Sequence, residues 1–381
     1  MKFRTKAIHI GNERCKTTGA VVPPIHLAST YVQDEPGVWG EYDYSRSGNP
    51  TRDRMETTLA ALENGTDALA FSSGMAATHC VSMLLKSGDH ILAGADIYGG
   101  TYRLLHKICN RSGIDVSLVD ATDPAKLSEG IQSNTKLIWI ESPGNPLMSI
   151  TDIAACAAIA SNAGILIGVD NTFATPSLTR PLDLGVDIVM HSATKYLGGH
   201  SDALGGALVV KSKELFDQLY FIQNATGNCM SPLDSFLISR GMKTLDLRVK
   251  AQSESALTIA NYLSDDPRIK RVLYPGLPDF VGFDIAAKQM RGGFGGMLSF
   301  ELRGDFAKAK QVAGSTQLFQ LAVSLGAVES LIEQPASMSH ASYDREARLA
   351  NGISDELIRL SVGLEDVDDL IQDLDRALGS E

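Results

Sequence analysis

Short apolar runs alternate with longer stretches of helical periodicity over the first half of the chain. Each run has about 4 to 8 residues in which apolar positions follow one another instead of alternating with polar ones. Strands of a parallel sheet show this pattern because helices cover the sheet on both faces. The runs are "DALAFSS", "HILAGAD", "DVSLVD", "KLIWIESP", "ILIGVDNT" and "DIVMHSATK". The pattern predicts an α/β domain built on a mostly parallel sheet.

The pattern changes after about residue 240. The segment "LISRGMKTLDLRVKAQSESALTIANYL" predicts one long helix with a break, and "GGMLSFEL" predicts a strand. The segment "DVDDLIQDLDRAL" predicts an amphipathic terminal helix. These elements indicate a smaller α+β domain. We therefore divide the chain into an α/β domain at 51–240 and an α+β domain at 241–381.

The first 50 residues have no clear period and are rich in Gly, Pro and aromatic residues. The segments "VVPPIHLASTY" and "EYDYSRSGNPTR" are typical of an extended chain with turns. A helix is predicted from "TRDRMETTLAALENG", and Gly65 is expected to end it. Residues 1–50 are therefore predicted to form an N-terminal arm.

Composition narrows the classes of function. The 381 residues carry a net charge of −11, whereas nucleic-acid-binding proteins usually have a basic balance or patch. No apolar run approaches the roughly 20 residues that span a bilayer, and the N-terminal sequence lacks the apolar core of an export signal. The five cysteines are scattered without C-x-x-C spacing, which argues against disulfides and a zinc site. We expect a cytoplasmic protein with no metal, nucleic-acid partner or membrane contact.

A single lysine follows the last of these apolar runs. In "HSATKYLGGHSD", Lys195 stands after Ser192 and Thr194 and before two glycines. The end of a buried strand is a poor position for a solvated surface charge. It suits a lysine that takes part in chemistry, because ligands of open α/β sheets bind outside the carboxyl ends of the strands.

Two other strand ends carry groups that complement such a lysine. The segment "FSSGM" runs from a strand into a helix, so the amides of Gly74 and Met75 would point toward an anion. Asp170 ends the run "ILIGVD". Phosphate-binding amides, a carboxylate and a lysine are what pyridoxal 5'-phosphate requires for its phosphate, its ring nitrogen and its Schiff base.

Each of these features also has an ordinary interpretation. A strand-end Asp is often a turn or cap residue, "SSGM" can be a capped helix start, and a lysine near glycines is usually on the surface. Their occurrence in chain order at the ends of successive predicted strands favours the cofactor site. The sequence contains none of the motifs G-x-x-x-x-G-K-[ST], G-x-G-x-x-G, G-x-S-x-G and H-E-x-x-H.

Eight segments of the sequence resemble those of a known enzyme family. They are "YSRSGNPTR", "FSSGMAA", "DIYGGTYR", "ESPGNP", "VDNTFATP", "HSATKYLGGHSD", "ESLIEQPASMSH" and "GISDELIRLSVGLED". The chain resembles the pyridoxal-phosphate enzymes of cysteine and methionine metabolism: cystathionine γ-synthase, cystathionine γ-lyase, cystathionine β-lyase and methionine γ-lyase. The resemblance covers essentially the whole chain. It implies fold type I of the pyridoxal-phosphate-dependent transferases, which is aspartate aminotransferase-like.

The resemblance implies roles for residues around the cofactor. Lys195 would form the Schiff base and later remove the α-proton of the substrate. Asp170 would pair with the pyridine nitrogen, Tyr98 would stack on the ring and assist proton transfers, and Asn145 would lie near the ring oxygen. The phosphate would be bound by Gly74, Met75, Ser192 and Thr194.

The resemblance also implies an active site shared between chains. Tyr44 and Arg46 of the arm would reach across a dimer interface to the neighbour's cofactor phosphate, and two dimers would form a homotetramer. A plain tail is the alternative for the arm. Arg359, in "LIRLSVG", would clamp the substrate carboxylate through its bidentate guanidinium. Val323 and Ser324 would also bind the substrate.

The markers of substrate specificity disagree. The family's γ-synthases and γ-lyases usually have Glu just before "SLG", where this chain has Val323. Methionine γ-lyases tend to be apolar there, but they have Cys at the position of Gly100 and commonly a Lys-Asp pair near Gln223 and Asn224. We favour γ-replacement or γ-elimination of the cystathionine γ-synthase or γ-lyase type, because "YGGT" and the C-terminal pattern fit that branch. Cystathionine β-lyase, methionine γ-lyase and, more remotely, a cofactor-less binding protein on this fold are the alternatives.

Overall fold

Two β-sheets organise this computed structural model, which describes residues 1–341 and 344–379. The strands are β1 (Asp67–Phe71), β2 (His90–Gly94), β3 (Asp115–Val119), β4 (Thr135–Glu141), β5 (Leu166–Asp170), β6 (Ile188–His191), β7 (Gly206–Val210), β8 (Ile269–Leu273), β9 (Met297–Leu302), β10 (Gln320–Leu321), β11 (Leu331–Glu333) and β12 (Leu357–Ser361). The first sheet has seven strands in the order β1-β7-β6-β5-β4-β2-β3. The second has five in the order β10-β11-β12-β9-β8.

The first sheet is mostly parallel. Strands β2 to β6 pair in parallel, whereas β7 runs antiparallel to both β1 and β6. Strands β2, β6 and β7 are buried along their whole length, while the edge strand β3 is partly exposed. The prediction of a mostly parallel α/β sheet is therefore confirmed. The parallel pairing brings the carboxyl ends of β4, β5 and β6 to one edge of the sheet.

The second sheet is mainly antiparallel and has its own hydrophobic core. Strands β8, β9, β12 and β11 pair antiparallel, and the short β10 adds in parallel. Buried residues of β9 and β12, such as Phe300 and Ile358, pack in this core with apolar residues of the neighbouring helices. This arrangement is the smaller α+β unit that the sequence predicts. The domain boundaries at residues 50 and 240 stay a prediction.

Helices surround both sheets. Asn49 caps the helix that begins at Pro50 by accepting hydrogen bonds from two amides of its first turn. The helices are α1 (Phe3–His9), α2 (Pro50–Glu63), α3 (Gly74–Ser82), α4 (Gly99–Arg103), α5 (Pro124–Glu129), α6 (Ile153–Ala163), α7 (Thr175–Leu178), α8 (Lys213–Thr226), α9 (Pro232–Met242), α10 (Leu245–Ser264), α11 (Phe283–Gln289), α12 (Phe306–Ser315), α13 (Arg345–Ala350) and α14 (Val367–Leu378). Within 1–341 and 344–379, no helix has both the length and the apolar character needed to cross a bilayer.

Helix α10 contributes to both hydrophobic cores. Leu245 and Val249 in its first half belong to the core of the first sheet, and Ile259 and Leu263 in its second half belong to that of the second sheet. A break at residues 243–244 separates it from α9, as the sequence pattern predicts. The helix therefore fixes the position of one sheet relative to the other.

Two local predictions were wrong in detail. The arm is not extended throughout, because a helix occupies Phe3–His9. Asn64, not Gly65, is the left-handed residue that ends α2, with φ of 57°. Asn adopts this region more readily than most residues because its short polar side chain bonds locally. Gly65 instead permits a close approach, since a Cβ there would lie 2.4 Å from Val209 Cγ1.

Arg248 on α10 holds the loop that follows β6. The residue is 4% exposed, and its Nη1 and Nη2 donate hydrogen bonds to the carbonyl oxygens of Tyr196 (2.9 Å) and Gly241 (2.8 Å). Its Nε donates to Thr244 Oγ1 at 3.1 Å. Burial lowers the pKa of Arg248 to about 10, so the guanidinium keeps its charge at neutral pH. These bonds fix the loop that carries Lys195.

We expect Arg248→Ala to lower the free energy of unfolding by about 3 kcal/mol, because buried carbonyl oxygens lose a charged donor. Urea-induced unfolding followed by circular dichroism measures the change. Lys250→Ala is the matched control, since Lys250 lies on the same helix and its ion pair with Glu254 is exposed. We expect a loss of less than about 1 kcal/mol there. Equal losses in the two variants would contradict the role of Arg248.

Candidate active site

A cavity of about 620 Å³ lies at the carboxyl edge of the first sheet. The second sheet contributes residues of β11, of β12 and of the loop between β10 and β11 to the lining of this cavity. Of the residues predicted from the sequence, all but Tyr44 and Arg46 line this cavity. Those that line it are Gly74, Met75, Tyr98, Asn145, Asp170, Ser192, Thr194, Lys195, Val323, Ser324 and Arg359.

Lys195 lies in the loop that follows β6. Its Nζ donates a 2.8 Å hydrogen bond to Ser324 Oγ. Burial and the positive charge of Arg359 lower the pKa of Lys195 to about 8, while the negative charge of Glu333 acts in the opposite direction. An amine with a lowered pKa loses its proton readily near neutral pH, which a Schiff-base or general-base lysine requires.

Asp170, at the end of β5, lies beside a second carboxyl group, that of Glu141 at the end of β4. The amide and the hydroxyl of Thr172 donate to Asp170 Oδ1 at 3.0 and 2.5 Å. Burial raises the pKa of both carboxyl groups, and the charge of Asp170 raises that of Glu141 further, well above its usual range. The neighbouring charge thus raises the pKa of Glu141 in addition to burial, whereas the hydrogen bonds from Thr172 favour the ionised form of Asp170.

A buried polar network supports the charge of Asp170. His191 ends β6, and its Nε2 lies 2.6 Å from Glu63 Oε1 on α2. Asn171 Nδ2 donates to the same oxygen at 2.9 Å. The hydrogen bonds from Thr172 lower the pKa of Asp170 and so oppose the effect of burial, and a positive charge on His191 would act in the same direction. The network therefore favours a carboxylate at the strand end, ready for a cationic partner in the cavity.

The N-terminus of α3 provides donors for an anion. Ser73 Oγ accepts a 3.1 Å hydrogen bond from the amide of Ala76. This cap leaves the amides of Gly74 and Met75 for a ligand, since the first amides of a helix have no partner within it. A Cβ on Gly74 would lie 3.1 Å from Ser192 Cβ. Glycine therefore lets the start of the helix approach the loop after β6 closely.

Ser192 and Thr194 are held in place by hydrogen bonds within the protein. The amide of Ser192 donates to Thr172 Oγ1 at 2.8 Å. Thr194 Oγ1 donates to Gly205 O at 3.2 Å and accepts from the amide of Gly205 at 3.0 Å. To donate to a phosphate, Thr194 would have to exchange its bond to the Gly205 carbonyl for one to the ligand.

Arg359 on β12 is buried, and part of its guanidinium is already hydrogen-bonded. Its Nη1 donates to Asn145 Oδ1 at 2.8 Å and lies 3.0 Å from Glu333 Oε1. Its Nη2 donates to the carbonyl oxygen of Ser324 at 2.9 Å. Its Nε has no hydrogen-bond partner among the described residues. Nε is buried and is the guanidinium nitrogen left without a protein partner, so it is the donor that a bound substrate carboxylate would satisfy.

Ser324 contacts both cations of the site. Its φ of 104° lies in a region that residues other than glycine rarely adopt. Its hydroxyl accepts the hydrogen bond from Lys195, and its carbonyl accepts one from Arg359. Strained backbone of this kind is common where a functional site requires it.

Tyr98 is the N-cap residue directly before α4 and is 43% exposed at the cavity. Its amide donates a 2.8 Å hydrogen bond to Glu141 Oε2. A Cβ on Gly100 would lie 2.4 Å from Tyr98 Cε1 and 2.9 Å from Met75 Sδ. The absence of a side chain at Gly100 therefore allows the aromatic ring to take this position.

The arm residues Tyr44 and Arg46 lie outside the cavity of their own chain and are exposed. The guanidinium of Arg46 lies 5.4 Å from the centre of the Tyr44 ring. Its Nε donates to Asn224 Oδ1 on α8 at 3.3 Å. Their predicted role at a neighbouring active site stays a prediction.

Sequence analysis missed two carboxyl groups of the cavity, Glu141 and Glu333. Glu141 ends "KLIWIE" as Asp170 ends "ILIGVD", so the same strand-end argument applied to it. Glu333 lies opposite Arg359 because of the antiparallel register of β11 and β12. Nothing in the local sequence indicates that pairing.

The groups around the cavity fit pyridoxal 5'-phosphate. Lys195 offers a partly buried amine with a lowered pKa, and Asp170 offers a carboxylate for a protonated ring nitrogen. The amides of Gly74 and Met75 offer donors for a phosphate. In the part of the chain that the structure describes, no group of three or more His, Cys, Asp and Glu residues is placed to hold a metal ion.

The chain is similar over nearly its whole length to proteins named as cystathionine lyases and synthases. The chain is 50% identical over 378 residues to a cystathionine γ-lyase of Bacillus subtilis, covering 99% of both chains. It is 51% identical over 376 residues to a cystathionine β-lyase of Coxiella burnetii, covering 98% of this chain and 97% of the relative. It is 48% identical over 377 residues to a cystathionine γ-synthase of Mycobacterium bovis, covering 98% of this chain and 96% of the relative.

The fold of the chain is also similar to that of a solved structure. The crystal structure of cystathionine γ-lyase from Lactobacillus plantarum complexed with L-serine is 48% identical, with a TM-score of 0.97, and the match covers 100% of this chain and 99% of that one. The sequence model of the family described as "Cys/Met metabolism PLP-dependent enzyme" matches residues 4–379. The resemblance seen in the sequence is thus confirmed: the chain belongs to the pyridoxal 5'-phosphate-dependent enzymes of cysteine and methionine metabolism.

Proposed function

We propose that this enzyme carries out γ-replacement or γ-elimination on sulfur-containing amino acids, as a cystathionine γ-synthase or cystathionine γ-lyase does. The observation that carries the proposal is that Lys195, Asp170 and Arg359 border one cavity. An amine, a carboxylate and a guanidinium with an unpaired nitrogen are the groups needed to hold the cofactor and an α-amino acid together. The same set argues against a cofactor-less binding protein.

The residues divide the work of binding. Bound pyridoxal 5'-phosphate supplies an electron sink for negative charge that develops at the substrate's α-carbon. Asp170 holds a negative charge for the ring nitrogen, and Thr172 keeps that carboxylate oriented. Arg359 binds the α-carboxylate through Nε and Nη2, because Asn145 and Glu333 occupy its Nη1.

Lys195 is the residue that moves protons. Its pKa of about 8 allows Nζ to take the α-proton of the amino acid near neutral pH. Ser324 Oγ positions Nζ between proton transfers, and Tyr98 assists at the open side of the cavity. In γ-chemistry a β-proton leaves before the γ-substituent departs. An incoming thiol or water then decides between replacement and elimination.

Two observations support the cystathionine branch over methionine γ-lyase. A Cys side chain at Gly100 would collide with the ring of Tyr98 as it lies here. Gln223 donates to the Ala70 carbonyl at 2.9 Å and Asn224 holds Arg46, so neither is free to act as the Lys-Asp pair would. Val323, which is 59% exposed at the cavity, is the feature that departs from the γ-synthases and γ-lyases.

Cystathionine β-lyase is the second candidate, because a relative of that name is 51% identical. A steady-state panel separates the reactions, with cystathionine, methionine, and O-succinylhomoserine or O-acetylhomoserine plus cysteine as substrates. We expect α-ketobutyrate from γ-elimination or cystathionine from γ-replacement. Pyruvate as the main product from cystathionine would overturn the γ assignment.

The exposed arm supports assembly into dimers. Tyr44 and Arg46 lie away from their own cavity, as residues that complete a neighbour's phosphate site would. Exposed apolar side chains, such as Leu27 and Trp39, accompany them along the arm. We infer a homotetramer made of two such dimers. A location in the cytoplasm belongs to the same proposal.

The first prediction concerns Lys195. Lys195→Ala removes the amine that forms the Schiff base, so we expect the visible absorbance band of the bound cofactor to vanish and turnover to fall below detection. Absorbance spectra, borohydride reduction and the substrate panel measure the two effects. Lys243→Ala is the control, because Lys243 is a partly buried lysine outside the cavity. A borohydride-reducible imine in Lys195→Ala protein would show that another lysine holds the cofactor.

A second prediction concerns the arm. After subunit exchange between inactive Arg46→Ala and inactive Lys195→Ala proteins, a hybrid dimer has one site with both residues intact. We therefore expect part of the activity to return. Mixing Lys195→Ala with Asp170→Ala is the matched control, since these two residues belong to one chain's cavity and no intact site forms. Full activity in an isolated monomer would contradict the proposal that the active site is shared between two chains.

A third prediction concerns Val323. A Glu at this position would hold the distal amino group of cystathionine, whereas valine offers branched apolar surface. We expect Val323→Glu to raise kcat/KM for cystathionine relative to methionine by about 10- to 100-fold, with the cofactor spectrum unchanged. Val323→Gln has nearly the same size without the charge and should leave the ratio close to that of the unmodified enzyme. An unchanged ratio in Val323→Glu would show that the position does not contact the distal end of the substrate.

A further inference from the structure

Glu333 is a buried carboxylate of the cavity for which the reaction described above has no role. It is 1% exposed and lies on β11, directly opposite Arg359 on β12. Its Oε1 lies 3.0 Å from Arg359 Nη1 and accepts a 2.7 Å hydrogen bond from Ser339 Oγ. Its Oε2 has no hydrogen-bond partner in the ranges that the structure describes.

The position of Glu333 determines which charges a ligand meets. Glu333 pairs with Nη1, whereas the Nε edge of the guanidinium includes a buried nitrogen that has no hydrogen-bond partner among the described residues. A carboxylate that binds this edge meets a guanidinium that already has an anionic partner. Its attraction to Arg359 is therefore opposed by repulsion from Glu333, and burial leaves that repulsion poorly screened.

For an amino acid, the sum of the attraction and the repulsion that it experiences from Glu333 is different. Its α-ammonium is attracted by the carboxylate of Glu333 while its α-carboxylate is repelled, so the two effects on a zwitterion largely cancel. A simple carboxylate has only the repelled group. The ion pair of Arg359 and Glu333 has no net charge, and a site of this kind favours a ligand that has none either.

We propose that Glu333 is a specificity-determining residue that makes the Arg359 site select zwitterionic amino acids over simple carboxylates. Among the carboxylates so disfavoured are 2-oxo acids, which are the products of elimination and lack the α-ammonium. The proposal rests on the role given to Arg359 in the proposed function. Without the negative charge of Glu333, the net charge of the pocket around Arg359 would be more positive by one unit, and the pocket would bind anions more tightly.

The test compares two small ligands on the holoenzyme by titration calorimetry. Acetate carries the carboxylate alone, and glycine carries the carboxylate and the ammonium. We expect Glu333→Gln to bind acetate about tenfold more tightly, since the variant loses a nearby negative charge, and to bind glycine nearly as before. Damage to the cavity would weaken both ligands. An unchanged or weaker affinity for acetate, or equal gains for both ligands, would overturn the proposal.

Glu301→Gln is the matched control. Glu301 is a buried carboxylate on β9 of the same sheet, paired with Lys270 at 3.1 Å and Arg271 at 2.7 Å, and it does not line the cavity. The same neutral substitution there should leave the affinities for acetate and glycine unchanged. A tenfold gain for acetate in Glu301→Gln would show that the effect does not come from the cavity.

Two further variants separate a failure of the proposal for Glu333 from a failure of the proposed function. Arg359→Gln should weaken acetate binding; if it does not, the role of Arg359 in the proposed function fails, and the proposal for Glu333 with it. If Arg359→Gln weakens acetate but Glu333→Gln leaves it unchanged, only the proposal for Glu333 fails.

If Glu333→Gln does not fold, Glu333→Asp replaces it. Its carboxylate retreats by one methylene, so acetate should bind severalfold more tightly, and an unchanged affinity would overturn the proposal.

Discussion

Two cations, the partly buried Lys195 and the buried Arg359, have to share one cavity, and the structure around them is arranged to make that possible. Removing two positive charges from water is costly unless each finds polar partners. Ser324 supplies a hydroxyl to one and a carbonyl to the other. Glu333 compensates the charge of Arg359 and thereby moderates the fall in the pKa of Lys195. The lysine becomes easier to deprotonate without losing its proton entirely at neutral pH.

The two sheets contribute different parts of this arrangement. The parallel sheet brings strand ends to one edge, so Asp170 and Glu141 are neighbours although 28 residues of chain, which include α6, separate them. The antiparallel sheet places side chains opposite each other across a pair of strands, which is how Glu333 reaches Arg359. Hydrogen bonds from Arg359 to Asn145 and from Lys195 to Ser324 then connect the two halves of the cavity.

The sequence predicted the part of the site that depends on one strand and its following turn. Lys195, Asp170 and the start of α3 follow buried runs directly, so hydrophobic pattern and residue type were sufficient. Roles for Arg359, Tyr98 and the arm came from family resemblance alone. Glu333 was missed because strand register depends on tertiary packing and is not visible in local sequence.

The same limit applies to the fold. The break between α9 and α10 was visible as a change of periodicity, whereas the hydrogen bonds of Arg248 to the loop after β6 were not. The left-handed end of α2 fell on Asn64 instead of Gly65; either residue tolerates that conformation, so residue type alone could not decide between them.

Helix α10 has a consequence for how the molecule loses its structure. Leu245 and Val249 pack with the first sheet, and Ile259 and Leu263 pack with the second. Neither sheet can shed its packing without exposing part of a helix on which the other sheet also depends. Each sheet has a hydrophobic core of its own, yet this shared helix leads us to expect that the two melt as one cooperative unit and that a cut in the chain near α10 releases no independently stable fragment.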